Sequence, residues 1–166
     1  MQVIDFDDEE HKEVCAQFGL AAFLGNALES TLGCILMGRG KIQGTATTPE
    51  QLEALETVLN KDTLGSLVRK VRAGVQLSED TERIVVFALQ RRNFLIHHFF
   101  RELAFDMDSN AGRRKLITEL QEIQGVILAA NKLADDLLQG LAKLLNITPT
   151  MLAAEVEDLR RQTESR

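Results

Sequence analysis

One short segment of the chain, Gln90 to Arg101, concentrates the side chains that could carry out chemistry. Its sequence, QRRNFLIHHFFR, holds three arginines and two of the chain's 3 histidines. Arginine binds anionic groups through paired N–H donors, and histidine accepts or donates protons near neutral pH. Polar groups on a largely apolar helix need partners or a function, because burying them unpaired costs free energy. The apolar neighbours on the same predicted helix are Ile84, Val85, Phe87, Ala88 and Leu95.

The spacing within this segment resembles the signature of the HEPN superfamily of helical bundles. That signature is an arginine, a polar residue, and a histidine, with about four to six residues between the arginine and the histidine. Arg92, Asn93 and His97 fit the shortest spacing, and Arg91 and His98 supply the longer ones. The closest resemblance is to small toxins paired with a nucleotidyltransferase antitoxin. Those toxins carry a tyrosine, modified by the partner, where this chain has Phe99, and this departure argues against that mode of control.

The resemblance implies a metal-independent RNA endonuclease that works without a cofactor. In such an enzyme the 2′-hydroxyl of RNA attacks the adjacent phosphate while a histidine accepts or donates the proton. The resemblance assigns Arg92 to the phosphate, His97 to acid–base catalysis and Asn93 to orienting His97. DNA lacks the 2′-hydroxyl and would not be cut.

Helical geometry leaves two arrangements of this site open. At about 100° per residue, Asn93 and His97 lie within ~40° of each other, whereas Arg92 and His97 lie ~140° apart. Either the long Arg92 side chain curls around the helix, or a second copy of the chain completes the site. Arg91 and His98 lie ~20° apart, so they are either a rival active pair or a solvated edge.

A non-catalytic interpretation of the same residues is also open. Histidines on a packed helix often bond to carbonyl or carboxylate groups, and arginines often pair with acidic residues on a neighbouring helix. The protein would then be a helical protein–protein interaction or regulatory module, or a structural subunit. A metal site is not expected, because no cysteine or carboxylate stands at zinc or di-iron spacing from His97, His98 and Glu102.

The helices that must position the segment follow from apolar residues at three- and four-residue spacing. The clearest series runs from Leu116 to Leu144, in alternating steps of four and three. A flexible loop is predicted for residues 38–47, and a frayed tail for 160–166. The predicted helices span about 8–37, 48–60, 63–73, 78–105, 113–145, and from 148 onward.

Together these elements predict a single all-α domain, residues 1–166, folded as a HEPN-like bundle of about five to six helices. Hydrophobic residues make up 45% and charged residues 27% of the chain, as in globular proteins. The net charge of −6 disfavours loose attachment to nucleic acid. Expected partners are a second copy, an RNA substrate, and an antitoxin or other protein.

The expected location is the cytoplasm, without a membrane partner. Residues 1–10 lack the pattern of a signal peptide. No apolar run approaches the ~20 residues of a membrane span. Cys15 and Cys34 are interpreted as small core residues rather than a disulfide pair, which fits a reducing compartment.

Overall fold

The computed structural model describes residues 8–164, and these residues form seven α-helices and one 3₁₀ turn without any strand. The predicted all-α helical bundle is therefore confirmed, with one helix more than expected, because the predicted fourth helix is broken. The elements are α1 (Glu9–Ile42), α2 (Pro49–Leu59), α3 (Leu64–Gly74), α4 (Glu79–His97), α5 (Phe99–Leu103), the 3₁₀ turn (Ala104–Asp108), α6 (Asn110–Leu144) and α7 (Pro149–Glu164).

The two longest helices, α1 and α6, pack side by side and run parallel. The Gln124 side chain donates to the Gln17 carbonyl oxygen (2.9 Å), and the Asn131 side chain donates to the Leu24 carbonyl oxygen (2.9 Å). Both hydrogen bonds join residues 107 positions apart, and this constant offset defines the parallel orientation.

Helix α4 packs against the same pair and runs in the opposite direction. In the second half of α4, Arg92 meets Glu29 of α1, whereas Phe99 and Phe100 of the following α5 meet the earlier residue Phe18. The chain must therefore reverse between α4 and α6, and the short α5 and the 3₁₀ turn make this reversal.

Two clusters of buried apolar side chains form the core, one toward each end of the bundle. The first joins α1, α2, α3, α4 and α6 through Leu28, Leu32, Ile35, Leu36, Leu59, Leu64, Leu67, Val68, Val71, Val85, Ala88, Ala130 and Ala134. The second, which borders the candidate site, contains Val14, Ala21, Leu95, Phe99, Leu116, Leu120, Ile123 and Ile127. The apolar series of α6 is thus buried as far as Ala134, whereas Leu144 at its end is exposed.

Parallel packing brings the acidic start of α1 against the basic start of α6. Arg113 is almost fully buried; it donates to the Met107 carbonyl oxygen (2.8 Å) and pairs with Asp8 (3.0 Å). Arg114 pairs with Glu10 (3.1 Å). A basic residue opposes the dipole at a helix N-terminus, and here the carboxylates of α1 offset that cost.

Several predicted helix ends are confirmed by their capping residues. Thr48 accepts a hydrogen bond from the Gln51 backbone and the Gln51 side chain bonds back, which completes a capping box before α2. Pro49 occupies the first turn, and Ser78 caps α4.

The predictions for two irregular regions, the loop and the C-terminal tail, are partly wrong. The predicted loop 38–47 begins too early, because α1 continues to Ile42. Gly40 is buried there, and a Cβ at this position would lie 3.1 Å from Leu55 and 3.3 Å from Ala46, so it serves close packing. Gly44, at φ +72°, makes the turn instead. The tail predicted to fray is helical as far as Glu164, and residues 165–166 lie outside the described part.

By length and composition alone, one helix within residues 8–164 could cross a membrane. An 18-residue window of α1 has a mean hydropathy of 1.5, and 33% of it is buried. The expectation that no apolar run approaches such a length is therefore wrong for α1. Core helices of soluble proteins and signal sequences meet the same criterion.

The absence of a signal peptide was predicted from residues 1–10, of which 1–7 lie outside the described residues.

The two cysteines are exposed, which corrects their interpretation as core residues. Although Cys34 is exposed as a residue, the surrounding protein partly desolvates its thiol, and this desolvation, followed by the Glu56 carboxylate, raises the pKa of the thiol above its ordinary value of 9.0. The thiolate is the reactive form, so Cys34 is expected to react slowly near neutral pH.

Asp62, just before α3, makes the stability of the fold depend on pH. Hydrogen bonds from Lys70 and then Ser66 lower the pKa of Asp62 below its ordinary value of 3.8. A carboxylate with a lowered folded-state pKa stabilises the fold above its unfolded-state pKa, and this contribution is lost as the pH falls through the folded-state value. We expect Asp62→Asn to lower the free energy of unfolding near neutral pH and to flatten its decrease below about pH 4. Denaturant unfolding of both proteins across the acid range measures this, and a difference independent of pH would contradict it.

Candidate functional site at the junction of α4 and α5

The segment predicted to carry chemistry lies where the helix breaks. Helix α4 ends at His97, and α5 begins at Phe99. His98 between them has φ −126° and ψ −30°, and its N–H still donates to the Phe94 carbonyl oxygen (2.9 Å). The predicted continuous helix over 78–105 is therefore wrong, because the chain has to reverse here before α6. His97 is thus the last residue of α4, and His98 lies at the break itself.

Arg92 ties α4 to α1. Its guanidinium lies 3.3 Å from the Glu29 carboxylate, and its side chain is only 19% exposed. Gly25 of α1 makes room for the stem, since a Cβ at that position would lie 3.0 Å from the Arg92 Cγ. The residue assigned to phosphate binding by the motif is thus engaged between two helices of its own chain.

Arg91 ties α4 to α6. Its guanidinium pairs with Glu119 and lies 5.3 Å from the centre of the Phe94 ring. The same ring is stacked parallel to His98, with ring centres 6.4 Å apart. Arg91 and His98, which lies just beyond the end of α4, are therefore both beside the Phe94 ring.

Asn93 and His97 are both exposed, one helical turn apart. Within the described residues no hydrogen bond joins them, so the orienting role assigned to Asn93 stays a prediction. His97 lies close to His98, with ring centres 6.5 Å apart and planes nearly perpendicular, at 85°. The structure thus brings together the two histidines rather than Arg92 and His97.

The Nδ1 atom of His98 has two neighbours that require different tautomers. Arg101 Nη2 lies 2.6 Å away and can only donate, which leaves the proton of a neutral ring on Nε2. Glu102 Oε1 lies 3.1 Å away and can only accept, which places the proton on Nδ1 and leaves Nε2 bare. Nε2 of His98 can therefore be either a proton donor or a proton acceptor, and the His98 side chain is 42% exposed.

Of the three arginines in the segment, Arg101 alone keeps most of its surface open. Its side chain is 69% exposed, whereas those of Arg91 and Arg92 are 23% and 19% exposed. Sequence reasoning assigned no role to Arg101. Its position three residues after His98 was the available signal, because side chains three or four residues apart meet on a helix.

The Arg92–Glu29 pair is expected to contribute to stability. Replacing Arg92 with alanine removes a partly buried ion pair and the packing of an aliphatic stem, so we expect a loss of about 1–2 kcal/mol. A double-mutant cycle with Glu29→Ala should give a coupling energy of about 0.5–1 kcal/mol by urea unfolding. The exposed pair Arg83–Asp80 is the matched control and should show almost no coupling. Equal coupling energies for both pairs would contradict the inference that the Arg92–Glu29 ion pair stabilises the packing of α4 on α1.

No protein-family model, curated protein or solved structure matches this chain. The HEPN resemblance therefore stays a prediction from the motif.

Proposed function

We propose that this protein is a metal-independent RNA endonuclease of the HEPN type, with His97 and His98 as its acid–base pair and Arg101 as its phosphate ligand. One observation carries the proposal. Two histidine rings lie 6.5 Å apart at an exposed helix end, and Arg101 contacts one of them. The net charge and the composition of the chain do not by themselves indicate such an arrangement of side chains.

The reaction needs a base on one side of the phosphate and an acid on the other. One histidine takes the proton of the 2′-hydroxyl, whose oxygen then forms a bond to phosphorus. The bond from phosphorus to the 5′-oxygen breaks, and the second histidine protonates that oxygen. The products are a 2′,3′-cyclic phosphate and a 5′-hydroxyl end.

His98 suits either role, because its neighbours Arg101 and Glu102 select different tautomers of its ring. Arg101 has five N–H donors. Its Nη2 contacts His98 Nδ1 (2.6 Å) and lies 3.8 Å from the Glu102 carboxylate. The donors on its other two nitrogens would bind phosphate oxygens and the charge that builds on them in the transition state. Arg92 has a positioning role in this proposal, since it holds α4 against α1 through Glu29.

The wider setting of this activity is also a proposal. A self-cleaving RNA chemistry needs no cofactor, and a toxic nuclease needs a neutralising partner, so we place the protein in the cytoplasm with an antitoxin or other protein partner. This setting includes no membrane partner.

The test is cleavage of labelled single-stranded RNA by the purified wild-type chain with EDTA present. We expect cleavage of RNA but not of DNA of the same sequence, and products that carry 2′,3′-cyclic phosphates. The His97→Ala/His98→Ala double variant, matched for helicity by circular dichroism, should be inactive. Equal cleavage by wild type and double variant would reveal a contaminating nuclease and overturn the proposal.

The second candidate function is a non-catalytic interaction or regulatory module. It is favoured by one specific observation: Arg91 and Arg92 both pair with carboxylates of neighbouring helices, Glu119 and Glu29. A wild-type chain that expresses as freely as the double variant, and that leaves tRNA, mRNA and structured RNA uncut, would favour this function.

A further inference from the structure

Helix α1 has more apolar surface than the rest of the protein covers. Its most apolar 18-residue window has a mean hydropathy of 1.5, yet only 33% of that window is buried. A helix on the surface of a soluble protein normally has a polar outer side, and a helix that is apolar all round is normally covered. We therefore expect another molecule to cover the exposed side of α1.

The side opposite α4 and α6 forms a stripe that we call the outer face of α1. None of its residues is charged, and the largest of them, Phe23, is 66% exposed. A Cβ added at Gly19 would meet nothing within 4 Å, so the surface around it is open. The outer face consists of Ala16, Gly19, Leu20, Phe23, Ala27, Ser30 and Cys34.

Large and small side chains are unevenly distributed along the outer face. Leu20 and Phe23 occupy its first half, and the small residues Ala27, Ser30 and Cys34 occupy its second half. Two such helices that cross antiparallel, with a two-fold axis near residue 25, place Phe23 opposite Ala27 of the second copy. Large side chains then fill the space left by small ones, as packed helices require. A parallel pair would instead place Phe23 on Phe23.

The charges at the ends of α1 favour the same orientation. The first turn is acidic and the last turn is basic. With the two-fold axis near residue 25, Glu9 of one copy lies opposite Lys41 of the other. Both residues are exposed. An antiparallel pair thus brings opposite charges together, and a parallel pair brings like charges together.

A groove beside the second half of the outer face offers further contact area. It has a volume of about 350 Å³ and lies between α1, α2 and α3. Glu29, Ser30 and Cys34 of α1 are among the residues that line one wall, and Glu56 and Leu59 of α2 are among those that line the other. In an antiparallel pair, Leu20 and Phe23 of the second copy would lie against this part of α1.

From these observations we propose that the outer face of α1 binds a second copy of this chain, with the two α1 helices antiparallel. Inserting α1 into a membrane would instead break its hydrogen bonds with Gln124 and Asn131 of α6. The dimer does not depend on the proposed function, and the outer face includes none of the junction residues.

The first test replaces Phe23 with aspartate in the full chain and measures the oligomeric state by sedimentation equilibrium. We expect a dimeric wild type and a dissociation constant raised at least about 30-fold in the variant, because a buried charge replaces a central aromatic contact. Phe105→Asp is the control: Phe105 is 89% exposed outside the outer face, and this variant should stay dimeric. A monomeric wild type would overturn the proposal. So would equal dissociation in both variants, or a monomer that floats with vesicles of phosphatidylcholine and phosphatidylglycerol.

The second test determines the orientation of the two helices. In a background with Cys15→Ser and Cys34→Ser, single cysteines are introduced as Asn26→Cys and Lys12→Cys, and a short bismaleimide is added. An antiparallel pair brings the two copies of residue 26 together near the two-fold axis and holds the two copies of residue 12 far apart. We expect covalent dimers from Asn26→Cys alone. Covalent dimers from Lys12→Cys, or from neither variant, would overturn the antiparallel arrangement.

Discussion

Arg101→Ala is expected to reduce the rate of RNA cleavage by about 10²–10³-fold, whereas Arg92→Lys should leave it nearly unchanged. The difference follows from geometry: the open guanidinium of Arg101 contacts His98, while Arg92 is held by Glu29. His97→Ala and His98→Ala should each lower the rate by about 10²–10⁴-fold, the usual contribution of a general acid or base. Single-turnover cleavage of one labelled RNA with EDTA present measures all four variants.

Arg92→Lys keeps the positive charge that pairs with Glu29, so it separates catalysis from folding. If Arg92 bound the phosphate with its paired donors, lysine would not replace it and the rate would fall. A strong loss in Arg92→Lys together with full activity in Arg101→Ala would therefore contradict our assignment and support that of the motif.

Gly112→Ala is expected to destabilise the fold by about 2–3 kcal/mol, more than the loss expected for Arg92→Ala. Gly112 lies in the first turn of α6, and a Cβ there would overlap the backbone carbonyl of Asp106 in the 3₁₀ turn. Backbone cannot move aside as the end of a flexible side chain can, so the turn or the helix start must shift. The shift would also disturb the neighbouring Arg113, which bonds to Met107 and Asp8.

The matched control is Gly125→Ala, in the middle of the same helix. A Cβ at Gly125 meets nothing within 4 Å, and alanine has the higher helix propensity. This variant should therefore be more stable by up to about 1 kcal/mol. Urea unfolding at fixed pH compares the two. Equal effects of both substitutions would show that the close approach of α6 to Asp106 is not what Gly112 provides.

The helices of this bundle were largely predictable, because their signals are local. Thr48 and Ser78 cap helices where their sequences indicate it, and the steps of four and three from Leu116 mark the buried side of α6. The end of α1 was not predictable in this way. Gly40 is normally unfavourable within a helix, and its use depends on the approach of Leu55 and Ala46, which local sequence does not specify.

The sequence predicted which segment contains the candidate site, but not which side chains of that segment contact one another. Arg91, Arg92, His97 and His98 could be singled out by type and spacing. Which of them meet was decided elsewhere, by Glu29 on α1 and Glu119 on α6, whose pairing with the arginines is a tertiary contact. The break at His98 was also missed, because it follows from the reversal of the chain rather than from a proline or glycine.

The parallel packing of α1 and α6 has a consequence for the order in which the protein folds. The hydrogen bonds between these helices join residues 107 positions apart, so α1 lacks its main partner until most of the chain has been synthesised. At about 5–20 residues per second, a ribosome needs roughly 5–20 s to add that many residues. During this interval the apolar surface of α1 is open to solvent, to chaperones and to other nascent chains. We therefore expect the contacts of α1 with α6 to close late, since bringing together such distant segments has a large entropic cost.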